Sequence, residues 1–335
     1  MEYRQLGRTG VRVSTLCFGT MSFGGIADET TSEVMYRRCR EAGINFFDCA
    51  NVYAAGRSEE ILGQLIAGER DQLVITSKVG FPMGEGVGNQ GLSRRHILAS
   101  VDASLKRLGT DRLDILFLHR FDPDVPMEET LRALDELVRQ GKVVHAGASN
   151  WAAWQIATAL GISALHDLPA FACIQPMYNL AKRQAEVEIL PLAHAKQLGV
   201  ISYSPLGGGL LTGKYAVGQR PETGRLVENE MYKARYGDDV YFETAERFTV
   251  FAQERGVHPV TLAVVWVAHH PALTAPIIGA RNVEQLELSL AAADFEMDDE
   301  TYAQVSALSP APPPATDRAE EQAGLAYKGS EERYR

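Results

Sequence analysis

The sequence predicts an α/β protein: a (β/α)8 TIM barrel with an N-terminal β-hairpin. Three observations carry that prediction. Counted from residue 15, eight short apolar runs alternate with helix-period segments. Strand–helix alternation implies parallel pairing through right-handed crossovers, and eight such units is the number that closes a barrel. Residues 3–6 and 11–13 flank a Gly7/Gly10 turn, the pattern of a short hairpin. Finally, a doubly wound sheet would want a glycine fingerprint after its first strand and an acidic residue about 20 positions later. Here Gly207-Gly208-Gly209 follows the seventh strand instead.

The elements follow in order. Thr15 to Gly19 reads as the first barrel strand, leading into a loop through Gly24 and Gly25, and residues 31–42 keep a helical period. Ile44 to Asp48 is a buried strand, followed by a helix from about Ser58 with Glu59 and Glu60 favourable in its first turn. Leu73 to Lys78 is the third strand, and Gly80 to Gly88 a glycine-rich loop. Ser93 caps a helix whose Ile97, Val101, Leu105 and Leu108 share a face and which Gly109 ends. Leu113 to His119, Val143 to Gly147, Phe171 to Gln175 and Gly199 to Tyr203 continue the strands. Helices 127–140, 151–162 and 187–198 separate them. A connection from about Pro205 to Asp239 reads as a long loop, too long to be a bare connection in a compact domain. Helices near 242–255 and 260–270, the strand Ala275 to Ile278 and a helix from Asn282 complete the barrel. The expected organisation is a barrel domain over 1–308 and a Pro-rich tail over 309–335, with Tyr327 and Tyr334 hinting that the tail's end docks.

Composition narrows the function classes. A net charge of −10 argues against a nucleic-acid or anionic-membrane surface, without forbidding a local basic pocket. No apolar region marks a secretory signal at the N-terminus, and no run approaches the about 20 residues a spanning helix needs. Cys17, Cys39, Cys49 and Cys173 are scattered, which reads as reduced thiols in a cytoplasmic protein. Cys49, beside Asp48, reads as a small buried filler.

Three consecutive strands end in ionisable groups. Asp48, Lys78 and His119 close strands two, three and four, and Tyr53 follows Asp48 by five residues. Barrel sites lie at the C-terminal strand ends, so parallel neighbours would bring all four to one mouth. Each has a bland reading alone: a turn-capping Asp, a packing Tyr, a solvated Lys, a His bonded to a loop carbonyl. Together they form a coherent device. A free phenol is a poor acid at neutral pH, an adjacent ammonium lowers its pKa, and a buried ammonium needs a counter-ion. Such a proton donor suits a carbonyl oxygen on which charge develops.

Several motifs accompany these groups: Asn45-Phe46-Phe47-Asp48 with Tyr53, Thr76-Ser77-Lys78, Leu118-His119, Gly147-Ala148-Ser149-Asn150, Gln175-Pro176-Met177-Tyr178-Asn179, Tyr203-Ser204-Pro205-Leu206 and Ile278-Gly279-Ala280-Arg281. As an ordered set they resemble the aldo-keto reductases. The run from Gly207 to Tyr215 is similar to the branch with bacterial general aldo-keto reductases and potassium-channel β subunits. The resemblance implies a nicotinamide cofactor, NADPH with NADH possible, no metal, and a small-molecule carbonyl substrate. In it Tyr53 is the general acid, Lys78 lowers its pKa, Asp48 partners Lys78 and His119 orients the carbonyl.

The resemblance also implies that Gly19, Thr20, Met21 and Asp48 border the cofactor. Ser149, Asn150 and Gln175 would hold its carboxamide, Tyr203 would stack on the nicotinamide, and Ser204, Leu206 and Gly208 would line the pyrophosphate. Gly279 to Gln285 runs from strand eight to a helix N-terminus, a setting disposed to bind phosphate. There Arg281 would pair with a 2′-phosphate, closed over by Lys214 and Arg225, with Gln285 and Ser289 nearby. Asn282 and Gln285 equally satisfy a capping-box spacing. Leu288-Ser289 departs from the Glu-Asn common in that branch, which keeps an NAD-preferring alcohol or sugar dehydrogenase open. A regulatory, cofactor-sensing barrel is an alternative of another class. A metal-dependent hydrolase fits poorly, since His269-His270 fall within a predicted helix. For the substrate, the loops at Ser22-Phe23, Val52, Phe81 to Val87, Arg120-Phe121 and 216–240 are expected to line the pocket. Phe23, Phe81 and Phe121 favour an apolar or aromatic carbonyl compound.

Overall fold

The computed structural model describes residues 1–86, 88–318 and 320. Strands β1 (Tyr3–Gln5) and β2 (Arg12–Ser14) form an antiparallel hairpin with Tyr3 opposite Ser14. Eight parallel strands then close a barrel: β3 (Cys17–Gly19), β4 (Phe46–Asp48), β5 (Val74–Val79), β6 (Leu113–Leu118), β7 (Val143–Ser149), β8 (Cys173–Gln175), β9 (Gly199–Ser202) and β10 (Ala275–Ile278). They pair in chain order, and β10 shuts the ring between β9 and β3.

Two apolar compartments hold the fold. Inside the barrel, Cys17, Phe46, Val74, Ile115, Phe117, Cys173, Ile201 and Ile277 pack together with Leu6 and Val13 of the hairpin. The hairpin therefore plugs the N-terminal end of the barrel and leaves the C-terminal end to the site. The larger compartment lies between the strands and the outer helices. Its helices are α1 (Glu29–Glu41), α2 (Arg57–Ile66), α3 (Arg94–Leu108), α4 (Met127–Arg139), α5 (Ala153–His166) and α6 (Ile189–Lys196). Local chemistry sets their ends. The Asp28 carboxylate and Ser93 hydroxyl accept the Thr31 and His96 N–H groups, and Gly109 takes the left-handed conformation (φ 61) that stops α3.

The connection after β9 is not a bare loop, as its length implied: it carries a 3-10 segment at Gly207–Thr212 and two helices the reading did not specify, α7 (Arg225–Glu228) and α8 (Glu230–Tyr236). Asn229 caps α8 through the Met231 and Tyr232 N–H groups, while Tyr232 and Tyr236, one turn apart, are buried together. Helices α9 (Asp239–Glu254), α10 (Pro259–His269) and α11 (Val283–Leu290) match the reading. A further helix, α12 (Asp299–Ser306), follows the barrel unanticipated, with Tyr302 stacked on Trp266. Among the described residues no helix is long and apolar enough to cross a membrane. Tyr327, Tyr334 and Val87 lie outside the described residues.

Candidate active site

Lys78 is the centre of the mouth. Thr76 and Lys78, two apart on β5, point to the same inner face, where Asp48 at the end of β4 meets them. The Lys78 ammonium donates to Asp48 Oδ2 at 2.5 Å, to the Cys49 carbonyl at 2.7 Å and to the Tyr53 hydroxyl at 3.3 Å. Its three protons are thereby all placed. The other Asp48 oxygen accepts from Thr76 Oγ1 at 2.7 Å and from the Gln175 amide at 2.8 Å. Asp48 and Lys78 are almost fully buried, an arrangement tolerable only because each charge faces the other with further hydrogen bonds.

His119 follows β6, its main-chain N–H bonded to the Val79 carbonyl. Its ring meets Phe81 edge-on at 4.6 Å and Tyr53 at 6.1 Å between centroids. Burial, and secondarily the Lys78 charge, holds the imidazole pKa down to about 2. The ring is therefore neutral across the working range, and its Nδ1 is buried with no hydrogen-bond partner among the described residues. Sign follows directly. Between about pH 6.5 and 2 the unfolded chain binds a proton that the native ring refuses, so stability falls as pH drops through that window. The pH profile of reduction should show no ionisation belonging to His119 between pH 5 and 9. An acid limb in that range that disappears in His119→Asn would contradict the neutral assignment.

Tyr53 corrects one expectation. Lys78 lowers its pKa as the sequence reading proposed, but burial is the larger effect, and the phenol is pushed up to about 12. The amine responds oppositely: burial works against its charge, yet Asp48 and Tyr53 outweigh that and raise it. Tyr53 is thus a protonated phenol in contact with a permanent ammonium, a donor in place rather than a phenolate. Cys49 is buried with its thiol pushed up to about 12, first by burial, an inert filler as read.

A cavity of about 910 Å³ opens above these groups and reaches the segments after β9 and β10, on the opposite side of the ring. Of the residues singled out from the sequence, it is lined by Asp48, Tyr53 and His119 and by Gly19, Met21, Ser149, Asn150, Gln175, Tyr203, Ser204, Leu206, Gly208, Lys214, Arg225, Gly279, Arg281, Gln285 and Ser289. Two do not line it. Lys78 lies beneath Tyr53, and Thr20 turns away, its hydroxyl donating to the Asp48 carbonyl and lying 2.9 Å from Ser58 Oγ. Gln175 commits its amide N–H to Asp48. Asn282 caps the Gln285 N–H, but the Gln285 side chain accepts from the Arg281 N–H and not from that of Asn282, so only half of the capping box forms. Asn150 and Ser204 hold left-handed backbone (φ 61 and 58) where their strands run out into the cavity wall.

For the substrate end, Ser22, Val52 and Phe81 line the cavity, whereas Phe23 is wholly inside the core and Phe121 packs against Trp151 at 5.1 Å. The aromatic inference therefore rests on Phe81 alone. Sequence reasoning missed Thr76, legible as the same-face neighbour of Lys78; the 216–240 segment lines the cavity as expected, through Met231, Tyr232 and Arg235 of α8 among others, which were not singled out one by one. Tyr232 lies between Arg225 and Arg235, 5.5 and 5.2 Å from its ring centre, and covers Gly208. A Cβ on Gly208 would come within 2.6 Å of that ring, and its φ of 70 independently favours glycine.

Charge distinguishes the two ends. Lys214, Arg225, Arg235 and Arg281 line the cavity without an ion pair among the described residues, and Asp48 is the only carboxylate in its wall. A net-acidic chain has gathered unneutralised cations at one place.

The aldo/keto reductase family model matches residues 15–310. The chain belongs to the aldo/keto reductase family. It is 39% identical over 302 residues, 88% of this chain and 92% of the other, to a probable voltage-gated potassium channel subunit beta of Arabidopsis thaliana. It is 36% identical over 327 residues, 93% of this chain and 97% of the other, to the uncharacterized oxidoreductase YrpG of Bacillus subtilis. A putative voltage-gated potassium channel subunit beta of Schizosaccharomyces pombe is 36% identical over 309 residues, 88% of this chain and 89% of that one. As an aldo/keto reductase the chain is an NAD(P)H-dependent oxidoreductase of small carbonyl compounds. Its residues fit a dinucleotide: cations without an ion pair among the described residues for phosphates, and bare backbone at Gly279 for close approach.

Proposed function

We propose that the protein reduces an aldehyde or ketone to an alcohol with NADPH, Tyr53 being the proton donor. The observation that carries this is the half-buried contact of the Tyr53 hydroxyl with the buried Lys78 ammonium, itself anchored by Asp48, at the mouth of a cation-lined cavity. The reduced nicotinamide supplies the hydride. Tyr53 holds its proton at the phenol oxygen until negative charge grows on the carbonyl oxygen, then releases it; the adjacent ammonium stabilises the phenolate left behind. Neutral His119 donates or accepts a hydrogen bond without adding charge, orienting the carbonyl. Ser149 and Asn150 would hold the carboxamide, and Tyr203, fixed by its hydroxyl donating to Asn150 at 2.7 Å, would offer its face for stacking.

Arg281, Lys214 and Arg225, without an ion pair among the described residues, support a preference for NADPH. Charge-assisted hydrogen bonds contribute about 1.5–3 kcal/mol, so Arg281→Ala should weaken NADPH binding roughly 10- to 100-fold while sparing NADH. Titration with each cofactor, followed by tryptophan fluorescence, measures this. Equal NADPH and NADH affinity in the unaltered protein would move the reading to an NAD-preferring dehydrogenase, which the lining Leu288 and Ser289 favour. Tight NADPH binding with no turnover across an aldehyde panel would favour a regulatory, cofactor-sensing subunit; two relatives are named as voltage-gated potassium channel beta subunits, probable or putative.

A further inference from the structure

Tyr53 heads an unusual turn. Ala54 (φ 47), Ala55 (φ 54) and Gly56 (φ 98) are all left-handed, two of them with a Cβ that disfavours it, before α2 begins at Arg57. Such backbone persists only where its surroundings over-determine it. The surroundings are an ion pair outside the cavity. Glu59, in the first turn of α2, is wholly buried. One oxygen accepts from Ser77 Oγ at 2.5 Å and the other from Arg107 Nε of α3 at 2.7 Å. Ser77 is the residue before Lys78 and faces outward from the barrel, as Lys78 faces inward. Arg107 does a second thing: its stem lies flat on Gly56, where a Cβ would meet Arg107 Cδ at 2.8 Å.

We propose that Glu59 and Arg107 are a positioning pair that holds the Tyr53 hydroxyl within reach of the Lys78 ammonium. Glu59 ties the helix that follows Tyr53 to the strand carrying Lys78, one residue away from the amine itself. Arg107 neutralises the buried carboxylate and clamps the last residue of the strained turn. Neither side chain lines the cavity, so neither contacts substrate or cofactor. The Tyr53–Lys78 contact, at 3.3 Å, is already long for a hydrogen bond and has little slack to lose. A misplacement near 1 Å can cost about a hundredfold in rate.

The inference rests on Tyr53 acting as the acid, and the test separates the two. Glu59→Gln, Arg107→Met and the milder Ser77→Ala are compared with the unaltered protein in NADPH-dependent reduction of 4-nitrobenzaldehyde, with NADPH Kd and thermal melting recorded. The expected result is a 10- to 100-fold fall in kcat for Glu59→Gln and Arg107→Met, several-fold for Ser77→Ala, with NADPH Kd within twofold and partial recovery in Arg107→Lys. In a Tyr53→Phe background the same changes should have no further effect on the residual rate, because the group they position is gone. Unchanged kcat in folded Glu59→Gln, or an equal fall in both backgrounds, would overturn the positioning role. Should Glu59→Gln or Arg107→Met fail to fold, the Ser77→Ala comparison in the two backgrounds decides. If Tyr53→Phe itself keeps full activity, the acid assignment fails instead, and the pair positions nothing catalytic.

Discussion

Tyr53→Phe is expected to retain NADPH binding and to lose carbonyl reduction by about 10²- to 10⁴-fold, the range a positioned general acid contributes. The substitution removes one oxygen. The ring still fills the space beside His119, 6.1 Å between centroids, and the backbone turn has no stake in the hydroxyl. What disappears is the only proton donor that touches the Lys78 ammonium among the described side chains facing the cavity. Single-turnover reduction with fluorescence-measured NADPH Kd separates chemistry from binding. A variant that binds the cofactor normally and still reduces aldehydes within tenfold would remove Tyr53 from the mechanism.

Lys78→Met should be costlier, because it damages stability and chemistry together. The Asp48 carboxylate would keep Thr76 and Gln175 as donors but lose its only opposite charge in a buried site. Breaking a buried pair from one side costs about 3–5 kcal/mol, most of it the stranded charge. The double variant Asp48→Asn/Lys78→Met should therefore be more stable than Lys78→Met alone, while both remain inactive. Denaturant unfolding of the pair of variants measures the difference. A Lys78→Met single variant at least as stable as the double would show that Asp48 is not held as a buried anion.

The barrel was legible because its signals are local. Runs such as Leu113 to Leu118 are apolar and short, Ser93 and Gly109 bracket α3 by their own hydrogen-bonding and backbone preferences, and alternation implies parallel order. The four reactive groups were legible for the same reason: a strand's direction decides which end a residue occupies, and Asp48, Lys78 and His119 each end a run. Helix α8 was missed because its seven residues are mostly polar outside Tyr232 and Tyr236, and two aromatics one turn apart do not declare a helix until a core receives them. Phe23 was misplaced because an isolated aromatic in a glycine-rich loop carries no period, and only packing against Phe18 turns it inward.

From its residues alone the chain settled its strand order, the end of the barrel where chemistry gathers, and which charges meet there. Closure of the ring decided the rest. It brought Gln175, 127 residues away, onto Asp48, and Glu59 onto both Ser77 and Arg107. It also decided the contest at Tyr53. The sequence names the ammonium that lowers the phenol's pKa, but desolvation depends on every segment that encloses the ring, and in the folded barrel desolvation is the stronger of the two.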